Sequence, residues 1–202
     1  MLGLGAAWQE NEHRRYGIRY GSVGERADRF EEACEIITAM FANKRTDFAG
    51  RYYQLDGAPL APKPVGPLPL MIGGAGERRT IPITARFADE WNTWGSPAKL
   101  IQKMAVLDRA CEAIDRDPSE IERSAALLVD VRDNTAGAGE RAEGIVRPHP
   151  HVIGTTEQIT ETFAEYHAAG VQEIIIPDFN WTAEETPDLL RLIATEVIPN
   201  FR

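Results

Sequence analysis

Pro67-Leu68-Pro69-Leu70-Met71-Ile72-Gly73-Gly74-Ala75-Gly76-Glu77-Arg78-Arg79-Thr80 runs from a short apolar segment through three glycines into a helical pattern. Such a run predicts a strand that turns tightly into a helix. Glycines let the backbone turn sharply and approach a ligand closely, and the free N–H groups at a helix start, with the positive end of its dipole, favour a phosphate. The same residues serve equally well as a bare turn, because glycines punctuate many such joins. Both readings stand on this stretch alone.

Outward from it, residues 2–7 read as a short buried strand and residues 9–24 as a polar loop. From 25 to 41 the positions Ala27, Phe30, Ala33, Cys34, Ile37, Met40 and Phe41 recur at three- and four-residue steps, the pattern of an amphipathic helix. Phe48, Tyr52, Tyr53 and Leu55 around Gly50-Arg51 predict a hairpin, and Pro59, Pro62, Pro64, Pro67 and Pro69 a stiff extended connector. After the glycines come a helix to Phe87 in spite of Pro82, a brief strand over 88–93, and a helix from Pro97 to about Ile114. A turn at 115–120 leads into one strand over 121–131, and 134–147 is the least ordered stretch by composition. Thr155 and Gln158 have capping-box spacing, Gly170 ends the helix they open, 171–177 is a buried strand, and 183–197 is a last helix.

Strand and helix thus alternate, which means parallel strands with right-handed crossovers. An open doubly wound sheet and a (β/α) barrel both satisfy that pattern. A full barrel takes eight units and about 250 residues, so periodicity and a length of 202 residues favour the open sheet in a single domain spanning 1–202. The net charge of −9 excludes the clustered basic surface that nucleic acid requires. Cys34 and Cys111 lie inside helical patterns at no metal-like spacing and read as buried reduced thiols. No apolar run has the length of a bilayer span and no signal-peptide pattern opens the chain, so a cytoplasmic protein is expected.

Blocks of residues along nearly the whole chain carry a resemblance. They are Gly3-Leu4-Gly5-Ala6-Ala7-Trp8 with Glu12-His13, Tyr16-Gly17 and Gly24-Glu25-Arg26; Phe48-Ala49-Gly50-Arg51-Tyr52-Tyr53 with Pro62-Lys63-Pro64; and Ile72 to Thr80 with Ala88-Asp89-Glu90-Trp91-Asn92. Arg116-Asp117-Pro118, Val152-Ile153-Gly154-Thr155 and Ala169-Gly170-Val171 complete the set. In this order and spacing they resemble the bacterial luciferase-like flavin and deazaflavin oxidoreductases. The resemblance implies an α/β fold, a partial (β/α)8 TIM barrel of luciferase-like type that lacks the first three strand-helix units. It implies coenzyme F420 as cofactor, with FMN as the alternative, and hydride transfer or monooxygenation on a small organic substrate.

By the same resemblance Gly73, Gly74, Ala75 and Gly76 receive the cofactor phosphate, Gly5, Ala6, Ala7 and Trp8 flank the ring or its ribityl chain, and Trp91 with Asn92 lines the same mouth. The early strands, which hold much of the substrate-facing chemistry in the family, have no counterpart here. No catalytic residue is assigned. A second reading is therefore a noncatalytic, cofactor-binding remnant whose open sheet edges a partner or self-association covers, as in a homodimer.

Single residues give less. Glu12-His13 has no visible third partner and reads as solvated or capping rather than acid/base. His149 and His151 lack a third ligand at sensible spacing, so no metal is expected. Asp115 and Asp117 are turn and cap residues. Trp91 and Trp94 serve as core or mouth, and Arg78-Arg79 reaches a cofactor tail or solvent.

Overall fold

The computed structural model describes residues 1–132, 149–177 and 181–201, so the stretch 134–147 lies outside the described residues. The chain divides into two compact units, residues 1–91 with 105–121 and residues 92–104 with 122–202.

In the first unit β1 (Leu2–Gly5) pairs in parallel with β4 (Leu70–Gly73), Gly5 standing opposite Gly73. Between them lie α1 (Glu10–Arg15), α2 (Val23–Ala42) and an antiparallel pair, β2 (Thr46–Ala49) with β3 (Gln54–Ala58). After β4 come α3 (Thr80–Phe87) and β5 (Glu90–Trp94). A capping box starts α2: Glu25 N–H donates to Ser22 Oγ at 3.2 Å, and Ser22 N–H returns to the Glu25 carboxylate at 2.9 Å. The apolar stripe of α2 then buries Phe30 and Cys34 with Leu70, Ile72, Ile83 and Ala88, while Leu2, Leu4 and Ala6 pack against that core. Burial pushes the Cys34 thiol up to about 12, and neither cysteine is in a disulfide. Strand β1 alternates half-buried and exposed instead of being buried as expected. Among the described residues its one strand neighbour is β4, so it stands at an end of the sheet. The short helix α1 replaces part of the expected polar loop, with acidic residues in its first turn and basic ones in its last, the arrangement that suits a helix dipole.

Several of the recurrent blocks are joints in this unit. The Glu32 carboxylate of α2 accepts the N–H groups of Arg51, Tyr52 and Tyr53 at 2.8, 2.9 and 3.0 Å, folding the hairpin turn around an anion. A Cβ on Gly50 would lie 2.4 Å from that carboxylate and 2.4 Å from the Phe48 ring, so the turn leaves no room for one. From the proline connector, the Lys63 ammonium reaches the last carbonyls of α2, donating to Met40 O and to Asn43 O at 2.5 Å. Arg116 does the same for α3, donating to Ala85 O at 2.9 Å and Ala88 O at 2.8 Å. Asp117 caps the 3₁₀ turn Pro118–Glu120, its carboxylate accepting Ser119 N–H at 2.8 Å, and this bond holds its pKa below the usual range. Asp89 ties β5 to the start of β4, accepting Leu70 N–H at 2.7 Å and donating its own N–H to Leu70 O at 2.9 Å.

In the second unit the expected single strand over 121–131 is two. Strand β6 (Glu122–Ala126) pairs in parallel with β9 (Glu173–Ile175), and β7 (Leu128–Val131) with β8 (His151–Gly154). The change of partner falls at Leu127, whose N–H donates to Ile175 O at 3.0 Å, whereas Leu128 N–H donates to Pro150 O at 3.1 Å. Helix α4 (Pro97–Glu112) starts in this unit and ends in the first. Helix α5 (Thr156–Ala168) has the expected capping box of Thr155 and Gln158, and Gly170, at φ +95°, turns the chain after it. Strand β9 is shorter and less buried than the expected 171–177, and among the described residues it pairs with β6 alone. The closing helix α6 (Thr186–Leu192) passes into a π turn, Ile193–Val197, and a 3₁₀ turn, Ile198–Phe201. Pro199, lacking an N–H, cannot continue the α-helical ladder there.

The main sheet has five strands in the order β1–β4–β5–β6–β9. That order follows the chain without a reversal. A doubly wound sheet reverses at a switch point, whereas a barrel wall runs consecutively, so the architecture is an open part of a (β/α) barrel and the doubly wound alternative is set aside. Among the described residues no helix is long and apolar enough to cross a membrane.

Candidate functional site

Ligands of parallel α/β folds gather at the C-terminal ends of the strands. In the first unit those ends are Gly5 on β1 and Gly73 on β4, side by side in register. From Gly73 the chain passes through Gly74, Ala75 and Gly76 to α3. Gly74 sits at φ +127°, a conformation that L side chains rarely adopt. A Cβ on Gly76 would come within 2.9 Å of Thr80 Oγ1. Position 73 is less demanding, since a Cβ there would make an ordinary contact of 3.6 Å with Leu4 O.

The loop is held rather than loose. Trp91, fully buried, donates its indole N–H to Gly74 O at 2.7 Å, and Ile81 N–H closes onto Gly76 O at 2.9 Å. No side chain caps α3. Among the described residues the N–H groups of Ala75, Gly76 and Thr80 meet no acceptor, and Pro82 stands at the third helical position, where an N–H would have had no intrahelical partner. Arg78 is exposed beside this helix start with no partner among the described residues. Arg79 points elsewhere: it donates to Asp28 at 2.6 Å and Glu31 at 3.2 Å on α2, and these partners raise its already high pKa. Arg86 also bridges Glu31 and Glu35, so an ion network fixes α3 against α2. The arrangement has the donors and the cation for an oxyanion, with a rigid loop to present them.

The remaining candidates fall as follows. Gly5, Ala6 and Ala7 continue β1; Ala6 turns toward the α2 core, and Ala7 has φ +64°. Trp8 is 65% exposed, with its carbonyl accepting Tyr20 O–H at 3.0 Å. His13 Nδ1 donates to Gln9 O at 2.8 Å and its ring meets Tyr20 edge-on, while Glu12 is exposed, so the pair forms no acid/base dyad. In the second unit Asn92 donates to Ser124 Oγ at 2.8 Å, and Trp94 stacks on His149 with centroids 4.1 Å apart. His151 donates back to His149 O at 3.2 Å. Sequence reasoning did not find the roles of Glu32, Lys63, Asp89 and Arg116, whose partners are backbone groups far along the chain. The stack of His149 on Trp94 gave no signal in spacing either.

Residues 1–152 match the family model described as luciferase-like monooxygenase. The chain belongs to that family. Over its whole length it is 23% identical to an F420-dependent hydroxymycolic acid dehydrogenase of Mycobacterium tuberculosis, covering 61% of that protein. Over 89 residues it is 35% identical to an F420-dependent glucose-6-phosphate dehydrogenase of Nocardia farcinica, a match that covers 44% of this chain and 25% of that one. The luciferase-like chain thus spans less than two thirds of these curated relatives. In three dimensions 99% of it superposes on 69% of an F420-dependent secondary alcohol dehydrogenase in complex with an F420-acetone adduct, at TM-score 0.82 and 20% identity. It also covers 74% of a coenzyme F420 dependent tetrahydromethanopterin reductase from Methanopyrus kandleri, at TM-score 0.81 and 15% identity. These likenesses establish the luciferase-like α/β fold.

Proposed function

We propose that this chain, as one luciferase-like α/β domain in the cytoplasm, binds coenzyme F420, or FMN as the alternative, with the cofactor phosphate on the Gly73–Gly76 join. The single observation that carries the reading is the join itself: N–H groups of Ala75, Gly76 and Thr80 and the cation of Arg78, all unpaired among the described residues, on a loop clamped by Trp91. F420 is favoured over FMN because the relatives named above are F420-dependent enzymes. When bound, the deazaflavin supplies hydride chemistry at C5 of its ring. The chain's own part is positioning. Ala75, Gly76 and Thr80 hold the phosphate, Arg78 balances its charge, Trp91 keeps the loop in shape, and Gly5 and Trp8 flank the ring, whereas Ala6, expected beside them, packs on the α2 side. No residue here is assigned to proton transfer.

The function is then that of an oxidoreductase acting on a small organic substrate. Titration of the full chain with F420 and with FMN, followed by cofactor fluorescence and absorbance, tests the site. Saturable binding, tighter for F420, is expected. Failure of both to saturate would overturn the reading.

A further inference from the structure

We infer that the cleft between α2 and the segment after β1 is an oxyanion site, built to take a small molecule bearing a phosphoryl or carboxylate group, and separate from the glycine join. The cavity there has a volume of about 170 Å³ and is walled by Arg19, Arg26, Arg29, His13, Tyr20 and Tyr53. Among the described residues no Asp or Glu lines it, in a chain with 31 acidic residues against 22 Lys and Arg. Three guanidinium groups, two of which (Arg26 and Arg29) have no carboxylate partner among the described residues, concentrate positive potential at one place on a chain of net charge −9.

The arginines differ in what they have free. Arg26 lies over the Tyr20 ring, 3.8 Å from its centroid, and spends one N–H on Gly21 O at 2.9 Å; its other donors are left for a ligand. Arg29 is half-buried and 5.9 Å from the Tyr53 centroid, and among the described residues no carboxylate or carbonyl accepts from it. Arg19 is paired with Glu25, which is itself committed to the α2 cap. A second cavity of about 110 Å³ shares Arg19, Tyr20 and Arg29 as walls, and Glu25 is its only acidic member. A planar guanidinium that is half-buried, stacked near an aromatic ring and unpaired is preorganised for a forked bond to an oxyanion.

The cleft is on the helix side of β1. Leu2, Leu4 and Ala6 turn toward the α2 core, and Phe30 and Ala33 of α2 floor the cavity. Gly5, Ala6 and Ala7 at the end of β1 close its rim, and none of Gly73 to Gly76 lines it. The cleft thus abuts the segment proposed above to flank the cofactor ring, while its arginines lie on α2 and the loop before it and not on the glycine join.

Calorimetric titration of the full chain with inorganic phosphate and with succinate, at constant ionic strength, tests the assignment and separates the two ligand sources. At least one should saturate, and Arg29→Met should weaken it by at least about tenfold, with Arg29→Lys weakening it less, since lysine keeps the charge and loses the fork. Arg191→Met, an equal charge change on an exposed helix residue, should leave affinity unchanged. If Arg29→Met fails to fold, the Arg29→Lys variant carries the test, weakened binding at an unchanged unfolding temperature being the supporting result. Three results would overturn the proposal: neither anion saturates, the Arg29 variants bind like wild type, or Arg78→Met abolishes binding while Arg29→Met does not. The last outcome places the anion at the glycine join.

Discussion

At Gly74 the backbone, not the side chain, is the functional element. Its φ of +127° is close to exclusive to glycine, so Gly74→Ala should cost about 1–3 kcal/mol of stability. Gly73→Ala, facing Leu4 O at an ordinary 3.6 Å, should cost less than about 1 kcal/mol. Urea unfolding of the two variants checks the ranking; equal costs would mean that the turn does not depend on Gly74. Trp91 acts on the same carbonyl from behind. Trp91→Phe keeps most of the buried ring and deletes the 2.7 Å bond, so a net loss of about 1 kcal/mol is expected from that bond. Cofactor affinity should fall along with it. Unchanged F420 and FMN titrations in Trp91→Phe would show that the clamp on Gly74 does not shape the site.

Among the elements, the β2–β3 hairpin gives a pH test. Burial raises the Glu32 carboxyl, and the N–H groups of Tyr52, Arg51 and Tyr53, which lower it, outweigh that, leaving it below the usual glutamate range. A lowered folded value means the stabilisation is complete above the unfolded value of about 4.3 and is lost as pH falls through the folded one. Glu32→Gln should therefore be less stable than wild type at pH 7, and the gap should shrink at about pH 3.5. A gap of the same size at both pH values would refute the charge-based account. The hairpin also shows what a sequence can and cannot disclose. The rhythm of α2 and the Thr155/Gln158 box of α5 are local, three and four residues apart, and were legible. The split at Leu127 was not, because β6 and β7 take partners some distance away, at 173–175 and 151–154. The same holds for the site. The glycines of the join announce themselves as a pattern, whereas the clamp on Gly74 is a bond between an indole and a carbonyl 17 residues earlier. Lys63 and Arg116 likewise bind carbonyls, which every residue has, so no pairing of side-chain types marks them.

At the scale of the molecule, β1 and β9 are the ends of the main sheet, each with one strand neighbour among the described residues. Unpaired strand edges are templates for association unless charge, proline or a bulge blunts them. Strand β1 is Leu-Gly-Leu-Gly, with no such device. Just beyond it, Trp8, Tyr16, Ile18 and Val23 are exposed by 65, 79, 56 and 73%, an apolar group on the same unit. The chain should accordingly associate with itself as concentration rises, seen as a concentration-dependent sedimentation coefficient. Gly3→Lys puts a charge on the exposed face of β1, and the group its Cβ would meet is the flexible end of Met71, at 3.0 Å, so the fold should tolerate it. That variant should shift toward monomer. If wild type sediments as one species of constant size, the edge is not used for self-association. If Gly3→Lys associates as wild type does, the contact lies elsewhere, and β1 is not the strand through which two copies meet.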